Sequence, residues 1–159
     1  EIWFLLGLGS FLVGHICYVF AFTTGPFVSD NKKQSWVKKN PWAILLFVVY
    51  AAGLLYTLRN GIEGFLWLAV PIYAFAIAMM ALSAMNRKLK VPSVSYSLTL
   101  SGALIFVASD STIALDRFGS EYLGDFQGAG AIIMLTYTVA QLLIVAGILS
   151  QRSENAVKE

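Results

Sequence analysis

The sequence predicts an all-α protein, a polytopic transmembrane helical bundle, and three observations carry the prediction. Hydrophobic residues make up 58% of the 159 and charged residues 13%, against roughly 45–50% and 25% in soluble domains. Mean hydropathy is +0.72. The apolar residues fall into about five runs close to membrane-crossing length, parted by polar segments marked with Pro and Gly. A formal charge of +2, with the basic residues in short connections rather than in a stripe, gives no reason to expect nucleic acid as a partner. The single cysteine, Cys17, cannot form an intrachain disulfide and supplies no metal framework.

The first apolar run covers about residues 2–22. It has no charged leader and no small-residue cleavage site, so it does not read as a signal peptide. Gly7, Phe11, His15, Tyr18 and Phe22 share one face at three- and four-residue spacing. Gly7, Ser10, Gly14 and Cys17 form a small-residue stripe beside it, suited to close approach of another helix. A polar connection with Lys32, Lys33, Lys38 and Lys39 ends at Asn40-Pro41 and leads into an uncharged second run, about 42–58, whose expected role is scaffold. The third run, about 65–84, contains Tyr73 and Pro71, and a membrane helix tolerates proline where neighbours satisfy the freed carbonyl.

After the basic connection with Arg87, Lys88 and Lys90, the fourth run, about 98–115, carries Asp110 between Ser109 and Ser111. A Gly-rich loop with Glu121 and Asp125 precedes the fifth run, about 129–149, which brings Tyr137 and Gln141 one turn apart on one face. One helical domain, 1–149, is thus expected, with a frayed polar tail at 150–159. Most Lys and Arg lie in the connections after the first and third runs and in the tail, leaving Arg59 and Arg117 on the other side. By the positive-inside rule the protein is integral and multi-pass with a cytoplasmic C-terminus.

Asp110 is the residue around which a site is expected. A carboxylate in a membrane run costs several kcal/mol toward the centre of the bilayer and usually marks function. Ser109 and Ser111 are placed to donate hydrogen bonds to it, and Tyr73 and Tyr137 come out within roughly one turn of it in depth, counting 1.5 Å per residue. His15, Tyr18 and Gln141 complete the polar set, His15 and Gln141 falling about a turn or two deeper by the same count. Each has a plainer role open to it. An intramembrane His or Gln can bridge helices, a tyrosine can pack with its hydroxyl satisfied, and a paired carboxyl can simply hold helices together. No zinc, nucleotide or serine-nucleophile motif is present, and no metal or organic cofactor is implied.

The segments FLLGLGSFLVGHICYVFAF at Phe4–Phe22, SGALIFVASDSTIAL at Ser101–Leu115 and LTYTVAQLLIV at Leu135–Val145 resemble the YhhN-like lysoplasmalogenase family. The resemblance implies about eight helices in a whole family member. It also implies hydrolysis of the vinyl ether bond of lysoplasmalogens to a fatty aldehyde and glycerophospho-ethanolamine or -choline. Of the family's acidic residues, the one in its FxxSD pattern matches Asp110. The other belongs to a Gly-Asp motif ahead of the first span, so the sequence is expected to be truncated at its N-terminus.

The chemistry suits a buried acid. Protonating the β-carbon of a vinyl ether gives an oxocarbenium ion that water captures, and the hemiacetal then collapses. Burial penalises the charged form of a carboxyl, which favours the protonated acid the slow step needs. The expected partners are a lysophospholipid-type amphiphile and the bilayer; no pattern indicates an oligomer. The reading of another class is a transporter or lipid-binding protein using Asp110 as a proton or substrate site, and the residues alone leave both open.

Overall fold

The computed structural model describes residues 2–24, 35–119 and 127–156, the side chains of 152–156 excepted. Lys32, Lys33, Glu121, Asp125 and Lys158 lie outside the described residues. The elements in order are α1 (Ile2–Thr24), α2 (Trp36–Lys39), α3 (Trp42–Leu58), α4 (Leu66–Met85), a 3-10 turn (Asn86–Leu89), α5 (Ser93–Phe118) and α6 (Ala129–Ala156). There is no strand among the described residues. Hydrocarbon offers no partner to a backbone N–H or C=O, so a helix, which satisfies them internally, is the form these runs take.

Four helices, α1, α4, α5 and α6, are long and apolar enough to cross a membrane, and α3 is a shorter apolar helix of 17 residues. The outside of the bundle is as apolar as its inside. Phe75, Leu135 and Leu142 are each about two-thirds exposed, as lipid-facing side chains must be.

The helices overrun the apolar runs. α5 starts at Ser93 rather than about Leu98, and ends at Phe118 because that ring is buried with Leu58, Ile62 and Val70. α6 continues through Ser150 to Ala156, so the expected frayed tail is helical for most of its length. Pro71 lies in the second turn of α4, where its missing N–H costs one backbone hydrogen bond.

α5 and α6 form the most extensively packed pair, and α1 and α5 both pack on α4. Two glycines set the α5–α6 distance. A Cβ at Gly102 would fall 2.8 Å from the Ala140 carbonyl oxygen, and one at Gly147 would fall 2.7 Å from the Thr99 nitrogen. Backbones this close gain dispersion contacts, which replace the hydrophobic effect as the attraction between helices in lipid.

Arg87, in the basic connection between α4 and α5, is only 1% exposed. Its Nη2 donates to Gln151 Oε1 at 2.8 Å and to Ser95 Oγ at 3.4 Å, joining the 3-10 turn to α5 and α6. The guanidinium also stands 5.4 Å from the centre of the Phe22 ring on α1.

Candidate active site

Three helices bring one polar group each to the same point. α1 supplies His15, fully buried; α4 supplies Tyr73; α5 supplies Asp110, 6% exposed. His15 Nε2 lies 3.0 Å from Asp110 Oδ2 and 3.0 Å from the Tyr73 hydroxyl. The Tyr73 hydroxyl in turn donates to the same Asp110 Oδ2. With the imidazole proton on Nε2, both donors converge on one carboxyl oxygen. Asp110 Oδ1 and His15 Nδ1 are buried without a hydrogen-bond partner among the described residues.

The aromatic packing explains why His15 holds this pose. Its ring centre lies 4.9 Å from that of Phe106 in an edge-on contact and 5.3 Å from that of Tyr73. The depth count from the sequence set His15 a turn or two away from Asp110; the two are in direct contact. Apolar runs mark where polarity changes, not where helices end, so depths counted from them drift.

Neither flanking serine bonds the acid. Ser109 Oγ donates to the Ile133 carbonyl at 3.3 Å, tying α5 to α6. Ser111 Oγ donates back to the Val107 carbonyl at 2.5 Å and shares a hydrogen bond with the Tyr50 hydroxyl. A serine within a helix finds the carbonyl four residues back before it finds its neighbour's carboxyl. Tyr50, on the helix read as scaffold, is a polar contact that the sequence reading missed. Its signal was modest, a lone hydroxyl midway along an uncharged apolar run.

The remaining candidates form a second cluster. Tyr18 donates to Gln141 Oε1. Tyr137 packs edge-on against Phe11 at 5.6 Å and Phe106 at 5.5 Å. These three side chains line a groove between α1 and α6 on the other side of Phe11 and Phe106. The expected depth match of Tyr137 with Asp110 thus leads to no contact between them.

Asp110 lines a cavity of about 320 Å³ between α1, α3, α4 and α5, a size within the roughly 300–1,000 Å³ usual for ligand pockets. Its wall is apolar except for Asp110, Tyr73, Tyr50 and Ser111, and Asp110 is its only carboxylate among the described residues. A buried acid that lines an apolar cavity can give a proton to, or take one from, a hydrophobic ligand held there.

The model of the YhhN family matches residues 1–148. The chain belongs to the YhhN family. It is therefore a multi-pass membrane protein. Proteins named lysoplasmalogenase from Mycobacterium bovis and Mycobacterium tuberculosis are each 28% identical to it over 146 residues, which is 91% of this chain and 50% of theirs. The chain thus spans about half the length of the curated relatives it matches. No solved structure matches it.

Proposed function

We propose that this YhhN-family protein is a membrane hydrolase that cleaves the vinyl ether bond of lysoplasmalogens, with Asp110 as the acid and base. The observation that carries the reading is a buried carboxyl that lines an otherwise apolar cavity, one of its oxygens having no hydrogen-bond partner among the described residues. Such a wall suits the hydrocarbon chain of a lysolipid. Kinship with proteins named lysoplasmalogenase supports the choice of bond.

With Oδ2 engaged by the Tyr73 hydroxyl and His15 Nε2, Oδ1 is the oxygen left to carry the proton that the reaction uses. Asp110 gives that proton to the β-carbon of the vinyl ether, and the electron pair of the double bond forms the new C–H bond. The ether oxygen shares the positive charge as an oxocarbenium ion. Water adds to the adjacent carbon and returns a proton to the Asp110 carboxylate. The hemiacetal loses its alcohol, releasing the fatty aldehyde and the glycerophospho headgroup. One carboxyl thus alternates between acid and base, as the acid of a retaining glycosidase does. His15 and Tyr73 stabilise the carboxylate between the two steps, and the protein lies in the bilayer with its C-terminus cytoplasmic.

The direct test is to incubate purified full chain in detergent with lysoplasmalogen and assay free aldehyde. No aldehyde, together with saturable lysolipid binding or proton-coupled uptake into vesicles, would turn the reading to binding or transport. The hydrogen bonds rank the supporting residues. Tyr73→Phe deletes a donor to the carboxylate and should lower kcat about tenfold, equivalent to roughly 1.4 kcal/mol in the barrier. Ser111→Ala removes no bond to Asp110 and should change kcat less than about threefold, under roughly 0.7 kcal/mol on the same scale. The reverse ranking in steady-state kinetics would move the catalytic contact from Tyr73 to Ser111.

A further inference from the structure

The apolar cavity extends past its acid in both directions, and farther on the Phe118 side. On α5 the wall begins at Val107, about one turn to one side of Asp110, and reaches Phe118, two turns to the other. On α1 the lining residues all lie between His15 and the start of the helix, from Phe11 back to Trp3. On α4 the lining runs from Val70 past Tyr73 to Ala78, about 7.5 Å of rise on the other side of the acid, so Asp110 stands part-way along an elongated pocket whose longer arm covers about 12 Å of helix rise to Phe118.

The far end is closed. Phe118 is buried in a cluster with Leu58, Ile62 and Val70, and Phe4 packs edge-on against it with ring centres 5.6 Å apart. The side is open. Trp3 is 83% exposed and Tyr50 is 40% exposed, yet both line the cavity, so among the described residues it opens on the lateral face between α1 and α3. Between Asp110 and the far end, the only polar side chains lining the cavity among the described residues, apart from the Trp3 indole, are Ser111 and Tyr50, which hydrogen-bond each other near the acid. From there to the Phe4–Phe118 pair the rest of the wall is hydrocarbon.

We infer that, given the hydrolase reading above, this cavity measures the substrate's tail. It takes one unbranched hydrocarbon chain, entering from the side and laid from Asp110 toward a stop formed by Phe4 and Phe118. A volume of about 320 Å³ is at the small end for ligand pockets and fits one chain better than two. Ala114 follows Asp110 by one turn on the same face of α5 and lines the path. Phe4 and Ala114 thereby determine which chain lengths can place their first carbons at the acid.

The test is a series of 1-alkenyl lysophospholipids differing only in chain length, hydrolysed by the full chain in detergent. Wild type should show kcat/KM falling beyond a limiting length. Ala114→Phe fills part of the path and should lower kcat/KM for the longest chain at least tenfold relative to the shortest. Phe4→Ala opens the stop and should move the limit to longer chains. Profiles unchanged in both variants would overturn the ruler while leaving the hydrolase intact. If wild type hydrolyses none of the series, the hydrolase reading falls and the ruler is judged by binding. Primary fatty alcohols of graded length should then raise the melting temperature up to a length that Ala114→Phe shortens and Phe4→Ala extends. No such dependence would overturn it. Should Ala114→Phe fail to fold, Phe4→Ala alone decides.

Discussion

Asp110→Asn should abolish aldehyde release while the protein still folds and melts near the wild-type temperature. The amide has the shape of the acid, and its oxygen can accept from the Tyr73 hydroxyl and His15 Nε2 as Oδ2 does. It cannot deliver a proton to carbon. Loss of a general acid removes about a hundred- to ten-thousandfold in rate, and with no second carboxylate on the cavity wall among the described residues, the upper part of that range is expected. A structural role gives another pattern. If Asp110 chiefly held a charged His15, the amide would strand that charge at a cost of about 3–5 kcal/mol. At roughly 2–4 °C per kcal/mol, the melting temperature would fall by about 6 °C or more. A well-folded Asp110→Asn protein with wild-type turnover would end the catalytic reading.

His15 separates the two explanations further. Its Nε2 faces Asp110 and Tyr73 while Nδ1 has no partner among the described residues. His15→Gln retains a donor in the same region, so its loss of activity should be partial where that of Asp110→Asn is complete.

How much of this was legible beforehand differs by level. The helices could be read because hydropathy alone dictates them, and Asp110 because a carboxylate in a run such as Ser101–Leu115 has few benign explanations. The partners of Asp110 were less accessible. His15 was singled out as polar, but its depth was counted from the end of an apolar run, and α5 extends at both ends beyond the run that defines it. Ser109 and Ser111 were assigned to the acid by adjacency. In a helix, neighbours in sequence point about 100° apart, and each hydroxyl found another acceptor. Tyr50 could be joined to Ser111 only by knowing that α3 packs on α5, a tertiary fact with no local signature. Arg87 stands with Lys88 and Lys90 in a basic connection, which gives no sign of burial; that burial comes from the first turn of α5 and the Gln151 region of α6 closing over it.

Gly147→Ala should be among the most destabilising single-methyl additions in the protein. The new Cβ would lie 2.5 Å from Thr99 Oγ1, 2.7 Å from Thr99 N and 3.0 Å from the Ser95 carbonyl oxygen. Rotating Thr99 relieves the first contact, but the other two are backbone, so α5 and α6 must move apart. Overpacking of this kind costs about 1–3 kcal/mol, more than the up to about 1 kcal/mol that alanine gains over glycine in a helix. The same substitution at Gly53 on α3 meets nothing within 4 Å and should be neutral or stabilising by up to about 1 kcal/mol. The pair thus predicts opposite signs for one chemical change, read as melting temperatures in the same detergent. Because α5 carries Asp110 and Ser109 ties it to Ile133 of α6, activity in Gly147→Ala should fall along with stability, whereas Gly53→Ala should keep both. Equal melting temperatures for the two variants would mean that the α5–α6 contact is not the close approach described.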